Sequence, residues 1–124
     1  MSQDIVSDAL NRIMNAERAR KKEVRIKQHS KLLMSILAIA KLKGYVKNYG
    51  LEKKELVVEI GKLNSCKAVK PRYMIRVGEI EKYVKRYLPA KDIGILVIST
   101  SKGLVTHLTA YERNFGGSLI AYFY

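Results

Sequence analysis

Gly94-Ile95-Leu96-Val97-Ile98-Ser99-Thr100-Ser101-Lys102-Gly103 is the stretch on which the reading of this chain turns. Its first half is a continuous apolar run rich in β-branched residues. Such a run between polar segments fits a central strand buried on both faces. Its second half is polar: three hydroxyls, an ammonium and a glycine stand directly behind the strand. A rigid element therefore presents a loop whose groups both donate and accept hydrogen bonds. Upstream, Ile80, Tyr83, Val84, Tyr87 and Leu88 recur at helical spacing over residues 79–88. Lys82, Lys85 and Arg86 stay outside that stripe, and Pro89 stops the helix. Residues 73–77 read as a strand before it. Downstream, Thr106 is placed to cap a short helix through Asn114. Gly116-Gly117 then turns the chain into a last strand over residues 118–124.

Further out, residues 4–17 carry Ile5, Val6, Ala9, Leu10, Ile13 and Met14 on one helical stripe, with Ser2 or Asp4 as cap. A basic segment runs from Arg18 to Lys27, and within it Val24 and Ile26 alternate with charges as in a half-wet strand. Ser30 caps a second helix that buries Leu32, Leu33, Ile36, Leu37 and Ala40 and ends at Gly44. Residues 45–49 and 55–60 read as strands, joined by a connection that includes Asn48, Gly50, Lys53 and Lys54. Gly61 to Pro71 changes character, and Pro71 excludes a central strand or mid-helix there. The expectation is an α+β protein of two small lobes. An N-terminal αβαββ lobe spans residues 1–61; a mainly β lobe with short helices spans 62–124. Lobes of roughly 60 residues are marginal alone, so they should lean on each other or on a partner.

The 124 residues are 48% hydrophobic, enough for a packed core, yet carry a net charge of +13. Residues 1–60 hold 13 Lys+Arg against 7 Asp+Glu, and residues 61–124 hold 11 against 4, so both halves are basic. A charge of this size calls for a polyanionic partner. Cys66 is alone, which rules out an intramolecular disulfide and fits a reducing cytoplasm. The N-terminus is polar and acidic, unlike a secretory signal. The longest apolar stretch, Leu32 to Ala40, is far below the roughly 20 residues that span a bilayer.

Few residues point to catalysis. Ser99 and Lys102 match a Ser-x-x-Lys spacing, but that chemistry needs a helix and further motifs that are absent. His29, His107 and Cys66 lack metal-ligand spacing, so no metal and no cofactor are expected. Asp92 and Glu112 read equally as surface charges. No phosphate-binding glycine loop or dinucleotide fingerprint occurs. The loop Ser99, Thr100, Ser101, Lys102 and Gly103 has two readings. It is an ordinary polar connection from strand to helix, or it is an RNA-reading element whose hydroxyls meet ribose 2′-OH groups and base edges while Lys102 meets a phosphate. The basic run is either a solvated face or a phosphate contact; the total charge favours the latter, with Arg18, Lys21 and Lys22 in that role. Tyr83 and Tyr87 lie on an apolar helix face and read as core rather than as stacking platforms.

These residues also carry a resemblance. Ser7-Asp8-Ala9-Leu10-Asn11-Arg12-Ile13, Ser30-Lys31-Leu32, Gly61-Lys62-Leu63-Asn64, Cys66, Lys70-Pro71-Arg72-Tyr73, Leu88-Pro89-Ala90-Lys91, the stretch from Gly94 to Gly103, and Gly116-Gly117 resemble the family of small-subunit ribosomal protein eight, in its archaeal and eukaryotic branch. The resemblance covers nearly the whole chain. It implies a two-lobed α+β protein that binds the central domain of small-subunit ribosomal RNA by shape, enters assembly early and sits among neighbouring small-subunit proteins. It implies that Ser99 to Gly103 is the main RNA-reading loop, that Ser30 and Lys31 contact RNA from the first lobe, and that Lys70 and Arg72 touch phosphates. Bacterial members repress their own messenger RNA, which adds that messenger as a possible partner. Ser118 stands where bacterial relatives carry an acid, and Leu108-Thr109 replace an acidic pair seen in many relatives.

The leading reading is thus a non-enzymatic constituent of the ribosome in the cytoplasm. A free-standing RNA chaperone or messenger regulator with the same fold is the alternative. An enzyme would need a deep pocket of titratable groups, and a membrane-surface protein would need a long cationic amphipathic helix.

Overall fold

A computed structural model describes residues 4–70, 72–90 and 92–124. Ser2 and Pro71, named above as a cap and a strand breaker, lie outside the described residues. The chain is α+β and divides into two compact units, Met1–Lys67 and Ala68–Tyr124. The division falls later than the expected boundary after residue 61. Cys66 is tied to the first unit: its backbone N–H donates to the Met14 sulfur at 3.2 Å, and its thiol lies 3.7 Å from the Leu10 carbonyl.

In the first unit, helix α1 (Ile5–Arg18) starts at Asp4, whose carboxylate accepts from the Ser7 N–H at 3.0 Å. That bond satisfies one of the donors a helix start leaves open. Ala9, Leu10 and Ile13 are fully buried, as the stripe requires. Strand β1 (Glu23–Ile26) follows, then helix α2 (Lys31–Leu42), capped by Ser30. Strands β2 (Val46–Glu52) and β3 (Glu55–Ile60) complete an antiparallel sheet of order β1-β3-β2. Leu56 and Val58 of the central strand are fully buried, and both helices pack on this sheet.

One detail differs from expectation. Asn48 and Gly50 do not belong to the connection but pair with Glu59 and Val57 inside the ladder. The turn is only Lys53-Lys54, both with positive φ, at 50° and 68°. Left-handed geometry at two successive positions matches the twist of a two-residue hairpin. Lysine carries no sequence signature for it.

The second unit is built on the strand expected to be central. Strand β6 (Ile95–Thr100) lies between β7 (Gly103–Thr106) and β8 (Gly117–Phe123) in a five-stranded antiparallel sheet. Strand β4 (Cys66–Ala68) lies on the far side of β8, and β5 (Met74–Ile75) also pairs with β8. The strand read over residues 73–77 is this short because Val77–Glu79 is already a 3-10 turn, fixed by the Glu79 carboxylate accepting from the Arg76 N–H at 3.0 Å. Helix α3 (Ile80–Tyr87) seats Ile80, Tyr83 and Val84 on Leu96, Ile98 and Leu119 of the sheet. Tyr83 is therefore core; Tyr87 is half-buried and stacks on Tyr122, ring centroids 5.4 Å apart.

Helix α4 (His107–Arg113) begins at Thr106, whose hydroxyl accepts from the Thr109 N–H at 3.3 Å, and ends at left-handed Asn114. His107 stands at the helix end, as the first residue of α4, and is buried there rather than on the surface. It is 5% exposed, and its Nδ1 accepts from the Leu96 N–H at 3.1 Å. The β6–β7 ladder stops at Val97–Thr106, so the imidazole satisfies the next buried donor of β6.

Candidate nucleic-acid interface

The polar stretch behind β6 is a β-hairpin, not the connection to a helix considered above. Ser99 pairs with Leu104 and Thr100 with Gly103, leaving Ser101-Lys102 as the whole turn. Gly103 holds φ at +109°, a conformation side chains rarely adopt. Thr100 organises the turn: its hydroxyl donates to the Gly103 carbonyl at 2.9 Å and accepts from the Lys102 N–H at 3.1 Å. Ser101, Lys102 and Gly103 are exposed at the tip; Ser99 and Thr100 are half-buried. The three hydroxyls thus split into two roles. Thr100 is spent on geometry, and Ser101 and Ser99 remain to face a ligand.

The sheet register extends this site beyond the loop. Ser118 of β8 lies directly opposite Ser99, Met74 of β5 opposite Ser118, and Leu104 of β7 on the other side of Ser99. Directly paired residues show their side chains on one face. A row of two serines between two apolar residues therefore crosses the sheet beside the hairpin, with Met74 76% exposed. Gly117 lets the strands close here. A Cβ at that position would land on the Ser99 carbonyl. Met74, Arg76, Asn114 and Gly116 border a wide open concavity next to this row. None of Met74, Arg76, Asn114 or Ser118 stood out as a binding residue in the sequence. Strand register brings Ser118 and Met74 into line with Ser99, and the concavity joins Arg76 and Asn114 to Met74.

The first unit carries the other predicted contacts. Ser30 caps α2 by accepting from the Leu33 N–H at 3.2 Å, which leaves its hydroxyl proton to donate outward, and Lys31 beside it is exposed. Arg18, Lys21 and Lys22 are exposed. They form no ion pair among the described residues, whereas Arg25 reaches Glu23 and Glu52, and Lys47 reaches Glu59 at 3.6 Å. Arg20, Lys21, Lys22 and Lys47 border one concavity of about 450 Å³. Arg20 and Lys47 are additions to the residues predicted from sequence. In the second unit, Arg72 and Lys70 are exposed.

The chain is matched over residues 4–124 by the family model for ribosomal protein S8. It belongs to that family. Among curated relatives, the small ribosomal subunit protein uS8 of Archaeoglobus fulgidus is 41% identical over 129 residues, covering 100% of both chains. The protein of that name from Caldivirga maquilingensis is 40% identical over 126 residues, covering 98% of this chain and 97% of its own. Among the described residues no three His, Cys, Asp or Glu side chains gather as a metal site, and no helix is long and apolar enough to cross a membrane. Cys66 is buried, and burial pushes its thiol up to about 12. The unfolded chain ionises this thiol near 9 and the folded chain does not. Its contribution to stability is therefore intact below pH 9 and falls as pH rises above it. Iodoacetamide at pH 8 should leave the native protein unlabelled over hours and label it in minutes in denaturant. Rapid labelling of the native chain would contradict the burial.

Proposed function

We propose that this chain is a structural, non-catalytic constituent of the small ribosomal subunit that binds the central domain of its ribosomal RNA directly. The observation that carries the reading is the hairpin of Ser101 and Lys102, held by Thr100 and set beside the Ser99–Ser118 row, on a chain of net charge +13. Hydroxyls on a rigid sheet suit the 2′-OH groups and base edges of an irregular RNA. Ser99, Ser101, Lys102 and Gly103 read shape, and Thr100 positions them. Ser30, Lys31, Arg18, Lys21 and Lys22 bring phosphate contacts from the first unit; Lys70 and Arg72 add to them from the second. Neighbouring small-subunit proteins complete the environment. The family, its relatives and the fold support this reading.

The test is titration of a central-domain fragment of small-subunit ribosomal RNA at two salt concentrations, with excess transfer RNA as competitor. Tight binding that survives the competitor is expected; binding abolished by it would leave only a basic surface. In the same assay Lys21→Ala should weaken specific and generic RNA alike. It should also reduce the magnitude of the log–log salt slope by roughly 0.7–0.9, the value of one phosphate contact. An unchanged slope would remove Lys21 from the interface.

A further inference from the structure

We infer that a groove between α3 and α4 docks a cationic, apolar-anchored segment of another small-subunit protein. The groove holds about 280 Å³. Ile80 and Val84 form its floor, and Leu108 and Tyr111 stand on its wall. Leu108 is 56% exposed and Tyr111 64%, a large apolar cost in water on adjacent turns of one helix. The charge around it is opposite to that of the rest of the unit. Residues 68–124 contain nine Lys and Arg and only four acids: Glu79, Glu81, Asp92 and Glu112. Three of those four, Glu81, Asp92 and Glu112, line this groove. Among the described residues no Lys or Arg lines it, although Lys85 reaches Glu81 from outside at 3.7 Å. A polyphosphate would be repelled here, and a second copy would bring its own net charge of +13 against an equal charge. A peptide with Lys or Arg flanking an apolar side chain meets both features: the apolar residue covers Leu108 and Tyr111 while its cations meet the carboxylates. The inference rests on residence in the small subunit, and not on which residues touch RNA.

The test uses native small subunits treated with a zero-length carbodiimide, which couples carboxylates to lysine amines in contact. The expected product joins Asp92, Glu81 or Glu112 to a lysine of a different small-subunit protein, next to an apolar residue. In parallel, cells carrying Glu81→Lys/Glu112→Lys should retain at least five-fold less of the variant in small subunits washed at high salt. The purified variant should bind the ribosomal RNA fragment no more weakly than the parent. Coupling only to a second copy, or neither intermolecular coupling nor lost retention, would overturn the inference. Increased retention would mean RNA lies on this face and would overturn it as well. Small subunits that lack the chain altogether would instead overturn the ribosomal reading beneath it, an outcome the RNA fragment assay detects separately.

Discussion

Gly117→Ala should destabilise the second unit by roughly 3 kcal/mol, at the upper end of the usual cost of forcing a methyl into a full space. The added Cβ meets the Ser99 carbonyl oxygen and carbon and comes within 3.0 Å of Ile98 Cγ2. Backbone atoms cannot turn aside as a side-chain tip can. Ser99 is also held on both sides by its ladder partners Leu104 and Ser118. The sheet must therefore open where the candidate RNA site sits. With a urea dependence of about 1–3 kcal/mol per molar, the midpoint should fall by at least about 1 M. Tyrosine fluorescence reports on this unit, since six of the eight tyrosines lie at position 73 or beyond. Gly78→Ala is the control: nothing lies within 4 Å of a Cβ there, so a change within about 0.5 kcal/mol is expected. Equal midpoints for the two variants would mean that β8 does not approach β6 this closely.

The same residues show what a sequence can and cannot reveal. The three longer helices are legible because burial every three or four residues leaves a periodic trace, and Asp4, Ser30 and Thr106 cap as their chemistry dictates. Strand β6 is legible because Ile95, Leu96, Val97 and Ile98 are all buried. Strand β7 is not. Gly103-Leu104-Val105-Thr106 is too short to show alternation, and its strand character comes from pairing with β6. The Lys53-Lys54 turn is hidden for a related reason: the register of β2 on β3 imposes it on residues with no preference for it. His107 reads as an ordinary polar residue until the end of β7 leaves the Leu96 N–H without a strand partner. The candidate site follows the same rule. Its contiguous part, Ser99 to Gly103, stands out in sequence, while Met74 and Ser118 are joined to it only by strands distant along the chain, and Arg76 and Asn114 only through the concavity beside Met74.

The division of labour among the hydroxyls leads to the sharpest functional expectation. Ser101→Ala should lower affinity for the central-domain RNA site by about 5- to 150-fold, matching the roughly 1–3 kcal/mol cost of an RNA group left without its partner. The fold should be untouched, because Ser101 is exposed in the turn and the turn's internal bonds belong to Thr100. Generic duplex RNA should be bound almost as before, since a neutral hydroxyl contributes little to counterion release. For the same reason the salt slope should stay constant. Thr100→Ala should also lose the specific site, but by another route: without the bonds to Gly103 and Lys102 the hairpin tip loses its fixed shape. Thermal melting separates the two, with Thr100→Ala melting lower and Ser101→Ala unchanged. Equal losses of Ser101→Ala on both RNAs would mean that the loop is merely sticky and that any specificity lies in the serine row of the sheet, where Ser99→Ala and Ser118→Ala would then carry the effect.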